Sequence, residues 1–255
     1  DGDVGLFDEH GGGLRPEVAL MSALDRAEAG GARLFFNTPV LGIEEGAAGV
    51  VVRTTQGSWL ADTVVVASGS WSTRLSPELN DLLRLQVLGL TWFMPKQPEL
   101  FAPEHFPVFL RDAGPVHFFG APSFDGYAFK ACTNPEWPVF RDVSEVPLTH
   151  TREELIKIGQ RAAELFVDVN PEPVRQSVHH CAYTPDRLPV VDRSDSGRVV
   201  TITGLSGHGF KFAPQLGEWA AQLATGQDST VDERFSLPQH LARLAKLGAY
   251  TGGGH

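Results

Sequence analysis

Residues 198–203 (RVVTIT) form a run of β-forming residues that breaks into Gly204-Leu-Ser-Gly207-His-Gly209. Residues 210–224 then follow helical spacing, and Gly226 ends them. A strand that feeds a glycine-rich turn and then a helix commits this part of the chain to a sheet covered by helices. Glycine lets backbone approach a ligand closely, and the unpaired N–H groups of a first helical turn favour negative charge. The spacing is G-x-x-G-x-G, and no acidic residue ends a second strand about 20 residues later, so the turn differs from the G-x-G-x-x-G signature that grips a pyrophosphate. It suits better a ring or small group that becomes anionic. An ordinary tight turn is the plain alternative.

The rest of the chain supports a mixed fold. Residues 14–29 (LRPEVALMSALDRAEA) read as an amphipathic helix stopped by Gly30 and Gly31. Segments 33–36, 40–44, 49–54 and 58–60 read as β, and 63–67 (TVVVA) reads as a strand buried on both faces. From about 83 to 182 the chain is richer in proline and aromatics. There, segments 116–120 and 127–131 flank Asp125-Gly126 as a hairpin, and Thr151-x-x-Glu154 opens a helix over 151–168 with a capping box. The fold class is therefore α/β (α+β), with 1–82 and 183–255 in one domain and an antiparallel-sheet domain, 83–182, inserted between them.

Composition removes several function classes. The 255 residues carry 21 basic and 31 acidic side chains, a net charge of −10, which is the wrong sign for generic binding to nucleic acid or an anionic membrane. No run of 18 apolar residues reads as a membrane span. Cys132 and Cys181 are the two cysteines, too few for a disulfide framework, and they point to a reducing, cytoplasmic setting. No signal peptide is visible in a chain that starts at Asp1.

Three features could carry chemistry. Lys211 stands at the start of the C-terminal helix, where a cation opposes the helix dipole; an anion in front of it would explain the placement, as would a solvated surface lysine. Lys130 lies inside an apolar hairpin strand, YAFKA, where a buried ammonium needs a partner or a function unless the strand is an edge. His179-His180-Cys181-x-Tyr183 makes a weak metal site, because adjacent histidines in a strand point opposite ways. It makes a better nucleophile, since neighbouring imidazoles can lower a thiol pKa; a buried structural cysteine is the alternative.

The motifs together resemble a family. Gly12–Pro16 with its helix, Val64–Trp71 (VVVASGSW), Phe119–Lys130 (FGAPSFDGYAFK), Cys181-Ala-Tyr183-Thr and Ser206-Gly-His-Gly-Phe-Lys-Phe212 occur in the order and at the separations of the monomeric sarcosine oxidase and N-methyltryptophan oxidase group. These are flavoenzymes of the D-amino-acid-oxidase-like superfamily. The resemblance implies an FAD-binding domain of the glutathione-reductase-like type and a substrate domain. It implies that Cys181 carries FAD covalently, that Lys130 activates dioxygen and that Lys211 helps hold the substrate carboxylate. Gly207, His208, Gly209 and Phe210 match the turn whose backbone faces the flavin ring. Gly69 and Val40 match close contacts to FAD, and Tyr183 matches an active-site tyrosine.

The implied reaction is oxidation of a secondary or N-methyl amino acid, or a similar amine, to an imine, with oxygen reduced to hydrogen peroxide. Fixed positive groups suit it, because they stabilise negative charge on reduced flavin and on oxygen. Three departures stand out. The strand–G-x-G-x-x-G–helix that opens the family is not in these 255 residues, so the chain reads as part of a longer or split enzyme. Asn134 and Phe119 stand where some sarcosine-oxidising members have histidine and tyrosine, which argues against sarcosine itself. The stretch TPDRLPVVD after Tyr183 is about two residues shorter than in covalent members, and resembles glycine-oxidase-like relatives. Non-covalent FAD in an amino-acid dehydrogenase or D-amino-acid-type oxidase, and a cofactor-free fragment, are the alternatives.

Overall fold

The computed structural model describes residues 4–113, 116–133 and 138–247. In chain order they form helix α1 (Pro16–Ala29), strands β1 (Val40–Gly46), β2 (Gly49–Thr54), β3 (Gly57–Ala61) and β4 (Val64–Val66), and a short helix α2 (Ser72–Leu75). Strands β5 (Arg84–Pro95), β6 (Phe109–Ala113), β7 (Val116–Ala121) and β8 (Phe129–Cys132) follow, then helix α3 (Arg152–Leu165). The chain continues through β9 (Val169–Tyr183), β10 (Val190–Arg193), β11 (Val199–Thr203), α4 (Gly209–Thr225) and α5 (Leu237–Leu247). The fold is mixed helix and sheet. Among the described residues no helix is long and apolar enough to cross a membrane.

The chain divides into two compact units. One takes in 1–31, 88–136 and 147–179; the other takes in 32–87, 137–146 and 180–255. The first is built on a five-stranded sheet ordered β6-β7-β8-β5-β9. The hairpin is present: β7 pairs antiparallel with β8, and Asp125 Oδ1 closes the loop between them by accepting from the backbone N–H groups of Tyr127 and Ala128. Phe93, Phe101, Phe118 and Phe129 form its core with Ile158 and Ala162 of α3. The capping box that starts α3 is complete, with Thr151 and Glu154 each satisfying the other's backbone N–H. α3 approaches the start of β9 so closely that a Cβ on Gly159 would fall on the carbonyl of Pro171.

The second unit holds an antiparallel meander, β1-β2-β3, and a three-stranded sheet ordered β10-β11-β4. β11 runs antiparallel to β10 and parallel to β4. Helix α4 covers this sheet through Leu216 against Val191 and Ile202, and Gly226 ends it in the left-handed conformation at φ +69°.

Three local expectations need correction. Segment 33–36 is not a strand, because an extended run becomes one only by pairing, and no strand partners it among the described residues. The apolar face of α1 buries no residue, with Val18 and Met21 both exposed, because nothing described covers that face. β4 is not buried on both faces: Val66 is inside, but Val65 is 41 % exposed.

Candidate functional site

β11 delivers the chain into a turn that only a few residue types tolerate. Gly204, Ser206 and Gly207 all adopt positive φ, at +65°, +50° and +82°. The turn is stitched to the end of β9. Ser206 N donates to Ala182 O at 3.0 Å, Thr184 N donates to Ser206 Oγ at 3.3 Å, and Tyr183 bridges to Leu205. The Gly207 N–H donates to the sulfur of Cys181. A Cβ on Gly207 would lie 3.1 Å from the Tyr183 hydroxyl oxygen. Cys181, Tyr183 and the glycine turn thus form one cluster.

Helix α4 starts at this cluster. It has no side-chain cap and no acidic residue in its first turn, so its leading N–H groups remain open to an acceptor. Lys211 lies in that first turn, with Nζ 3.1 Å from His208 Nδ1. An ammonium only donates, so Nδ1 accepts and the imidazole proton sits on Nε2. Partial burial, Lys211 and Arg187 hold the His208 pKa below its usual value. The Arg187 guanidinium carbon lies 5.8 Å from the centre of the Tyr183 ring.

Gly69 joins the cluster through β11. Its carbonyl accepts from Thr203 Oγ1 at 3.2 Å and from Ser72 Oγ at 2.7 Å. Its φ is +54°, and the side where a Cβ would stand is open space. Nearby, Trp71 meets His180 edge-on, with ring centres 5.1 Å apart. Gly209 and Phe210 follow as the first residues of α4, and the Phe210 ring is exposed. Val40 opens β1 opposite Thr54.

Lys130 belongs to the five-stranded unit. It is half-buried on β8, opposite Ala121 on β7 and Trp92 on β5, so its strand is central and the edge-strand alternative is excluded. Its ammonium lies 5.5 Å from the centre of the Phe119 ring. Asn134 lies outside the described residues.

One chemical expectation is corrected. Paired imidazoles do not lower the Cys181 thiol pKa. Burial raises it above the ordinary value, and the Gly207 N–H offsets part of that rise. His179 is exposed and paired with Ser177 Oγ at 3.0 Å, and His180 turns to Trp71. Sequence reasoning also missed Arg187, whose single signal was a basic residue inside the turn-forming run TPDRLP.

The arrangement fits FAD on three observations. Gly69 leaves backbone uncovered, with open space where a Cβ would stand, as close approach of a flat ring needs. The head of α4 concentrates N–H donors and cations, which suits a group that becomes electron-rich. A half-buried thiol borders the same turn.

Comparison with known proteins agrees. The family described as FAD dependent oxidoreductase (DAO) matches residues 2–223, and the chain belongs to that family. It is 30% identical over 255 residues to an N-methyl-L-tryptophan oxidase of Salmonella heidelberg (strain SL476), covering 96% of this chain and 65% of that protein. The N-methyl-L-tryptophan oxidase of Salmonella typhi is equally similar, 30% identical over 256 residues with the same coverage of 96% and 65%. The chain therefore spans about two thirds of the length of these relatives. Among solved structures, the amino acid oxidase NikD in its open form superposes with a TM-score of 0.74 at 21% identity, covering 86% of this chain and 59% of that one. Glycine oxidase from Geobacillus kaustophilus gives 0.67 at 23% identity, with 86% and 56% covered. At these identities the likeness shows a shared fold.

Proposed function

We propose that the chain carries the substrate-handling part of an FAD-dependent amine oxidoreductase acting on CH–NH bonds. Its substrate is a secondary or N-methyl amino acid, or a sarcosine-like amine, and dioxygen is the second substrate. The observation that carries this reading is the gathering of Cys181, Tyr183, His208 and Lys211 around one glycine turn at the head of α4. The names of the N-methyl-L-tryptophan oxidase relatives support the substrate class.

When bound, FAD would supply the redox chemistry: a hydride leaves the carbon of the C–N unit and the nitrogen gives up a proton, leaving an imine that water hydrolyses, and the two electrons with two protons would reach oxygen as hydrogen peroxide. The chain's own residues do the rest. Cys181 holds the cofactor through its sulfur. The backbone of Gly207, His208, Gly209 and Phe210 provides donors for the cofactor's electron-rich edge, and Gly69 and Val40 provide close backbone contacts. Lys211 binds the substrate carboxylate, and the Tyr183 hydroxyl orients the substrate. Lys130, half-buried on a central strand, favours negative charge on dioxygen. Residues 1–82 and 183–255 then act as the FAD-binding part and 83–182 as the substrate part, in a cytoplasmic protein.

A second reading is favoured by the raised Cys181 pKa, which keeps the thiol protonated and poorly nucleophilic. In it FAD is held without a covalent bond and the electrons go to a carrier. One experiment separates the readings. The protein is supplied with FAD, precipitated with acid, and assayed for peroxide with N-methyl amino acids. Yellow colour in the pellet and peroxide in the supernatant support the first reading. Colour lost to the supernatant with no peroxide supports the second. A protein that takes up no FAD defeats both.

A further inference from the structure

Helix α5 is held to its unit by polar contacts. Among its described side chains His240 is the buried one, 1 % exposed, while Leu241 is 39 % exposed. Asp192 Oδ2 accepts from the backbone N–H of Leu237 at 2.8 Å and so satisfies a donor at the start of the helix. His240 Nε2 donates to Pro189 O at 3.0 Å, and Arg243 Nε donates to Asp186 Oδ2. Arg243 Nη2 donates in turn to Arg234 O at 2.6 Å. Asp186, Pro189 and Asp192 all lie between Tyr183 and β11, so α5 grips the stretch that follows the candidate site.

That stretch begins with a braced loop. Asp186 Oδ1 accepts from Leu188 N at 3.2 Å, Thr184 Oγ1 donates to Leu188 O at 2.7 Å, and Arg187 N donates to Thr184 O at 3.2 Å. Thr184 is fully buried, and its N–H donates to Ser206 Oγ in the glycine turn. A run of bonds therefore leads from Arg243 through Asp186, Leu188 and Thr184 to Ser206. Arg187 inside the loop and Ser206 at its far end both hold positive φ without being glycine, at +60° and +50°. Backbone of that kind persists only where its surroundings over-determine it. Apolar packing would secure a helix without fixing where a loop sits, whereas a hydrogen-bonded charge pair admits one geometry.

We infer that Asp186, His240 and Arg243 are positioning residues: through them α5 latches the loop over 184–189, and the loop holds the glycine turn in the shape that receives the cofactor. Breaking the latch leaves Cys181, His208 and Lys211 in the chain but lets the turn that carries them relax. The latch is a property of the free protein, while its consequence for FAD rests on the amine-oxidation reading.

Amide hydrogen exchange of the full chain, followed by NMR without added FAD, tests the latch. In Arg243→Ala the amides of Thr184, Ser206, Gly207 and His208 exchange about tenfold faster, while those of β11 keep the parent rate. Arg243→Lys recovers part of the protection, because the charge returns without the planar fork. In Ser206→Ala, where loop and turn are already parted, Arg243→Ala adds nothing further at Gly207. Parent rates at the turn in Arg243→Ala overturn the inference. So does faster exchange spread evenly over β11 and α4, which marks general loosening, and so do additive effects of the two substitutions at Gly207. Should Arg243→Ala fail to fold, the parent chain decides. In rising urea its α5 amides and those of 204–208 lose protection together, ahead of β11, and a turn that stays protected after α5 has opened refutes the latch. FAD binding, read by flavin fluorescence, gives the consequence: Arg243→Ala weakens it and Arg243→Lys restores part of it. The two claims fail separately. A latch seen by exchange in a chain that takes up no FAD sinks only the FAD reading. Equal FAD affinity in parent and Arg243→Ala, with the turn loosened, sinks only the positioning claim.

Discussion

The backbone N–H of Gly207 donates to the sulfur of Cys181. That one bond couples the turn after β11 to the last residues of β9. It also favours the thiolate, though not enough to overcome burial.

Replacing the sulfur tests the covalent attachment. Cys181→Ser retains the fold, because serine matches the thiol in shape. Protein supplied with FAD then gives a colourless acid-precipitated pellet, whereas the parent pellet stays yellow. Absorbance of the redissolved pellet reads the difference, and a yellow Cys181→Ser pellet rules out this attachment point.

Thiol reactivity has a definite sign. A Cys181 pKa raised by burial means that alkylation by iodoacetamide keeps accelerating at pH values where an exposed thiol has already levelled off. Cys132 is fully buried with its pKa pushed up to about 11, so it labels far more slowly in the folded protein. Mass spectrometry of peptides labelled at stepped pH values distinguishes the two sites. A Cys181 rate that reaches its plateau below pH 8 contradicts the structure.

Two glycines are required for different reasons. At Gly159 an added methyl meets the Pro171 backbone, which cannot swing aside. Gly159→Ala therefore costs about 3 kcal/mol, seen as a lower urea midpoint. At Gly207 the obstacle is the backbone itself, at φ +82°, together with the Tyr183 hydroxyl. Gly207→Ala costs about 1–2 kcal/mol and weakens FAD uptake. A Gly159→Ala protein as stable as the parent would mean that α3 and β9 are further apart than described.

The core of the five-stranded unit rests on Phe129, which is fully buried and stacked on Phe101 with ring centres 4.2 Å apart. Phe129→Ala removes the ring and leaves a cavity, at a cost of about 3–5 kcal/mol. The unfolding midpoint should fall accordingly, while Phe129→Leu loses much less.

His240 links stability to pH. It is buried, with Nε2 3.0 Å from Pro189 O, and burial lowers its pKa from 6.5; the Pro189 carbonyl and Asp186 oppose that shift without cancelling it. A folded-state pKa below the unfolded value means that the unfolded chain takes up the proton first. Stability is intact above about pH 6.5 and declines as pH falls from there toward the depressed folded value. Denaturation midpoints measured from pH 7.5 down to 5 follow this decline. His240→Gln makes it shallower, the rest coming from His150 and His208, whose pKa values burial also lowers, and an equally steep decline in that variant assigns the effect elsewhere.

Where local chemistry decides, sequence was enough. The Thr151–Glu154 box, the Asp125 turn and the strand–turn–helix of 198–226 each form from neighbours in the chain, and each is present. Features that depend on a distant partner were not legible. The run RLFF has the composition of a strand but no mate among the described residues. Lys130 looked the same on an edge or a central strand, because strand order is a tertiary property. The thiol of Cys181 was read from its chain neighbours, while its surroundings are set by Gly207, which folds back from beyond β11. Arg187 enters the cluster only through the braced loop over 184–188.

The parallel pair of β4 and β11 matches Val64 with Val199. A ribosome finishes the first of these strands long before it makes the second. Throughout that interval the apolar VVV segment has no native mate on that side and stays an unpaired edge open to other chains. Release of a chain cut short before β11 should yield aggregates rather than a partly working protein.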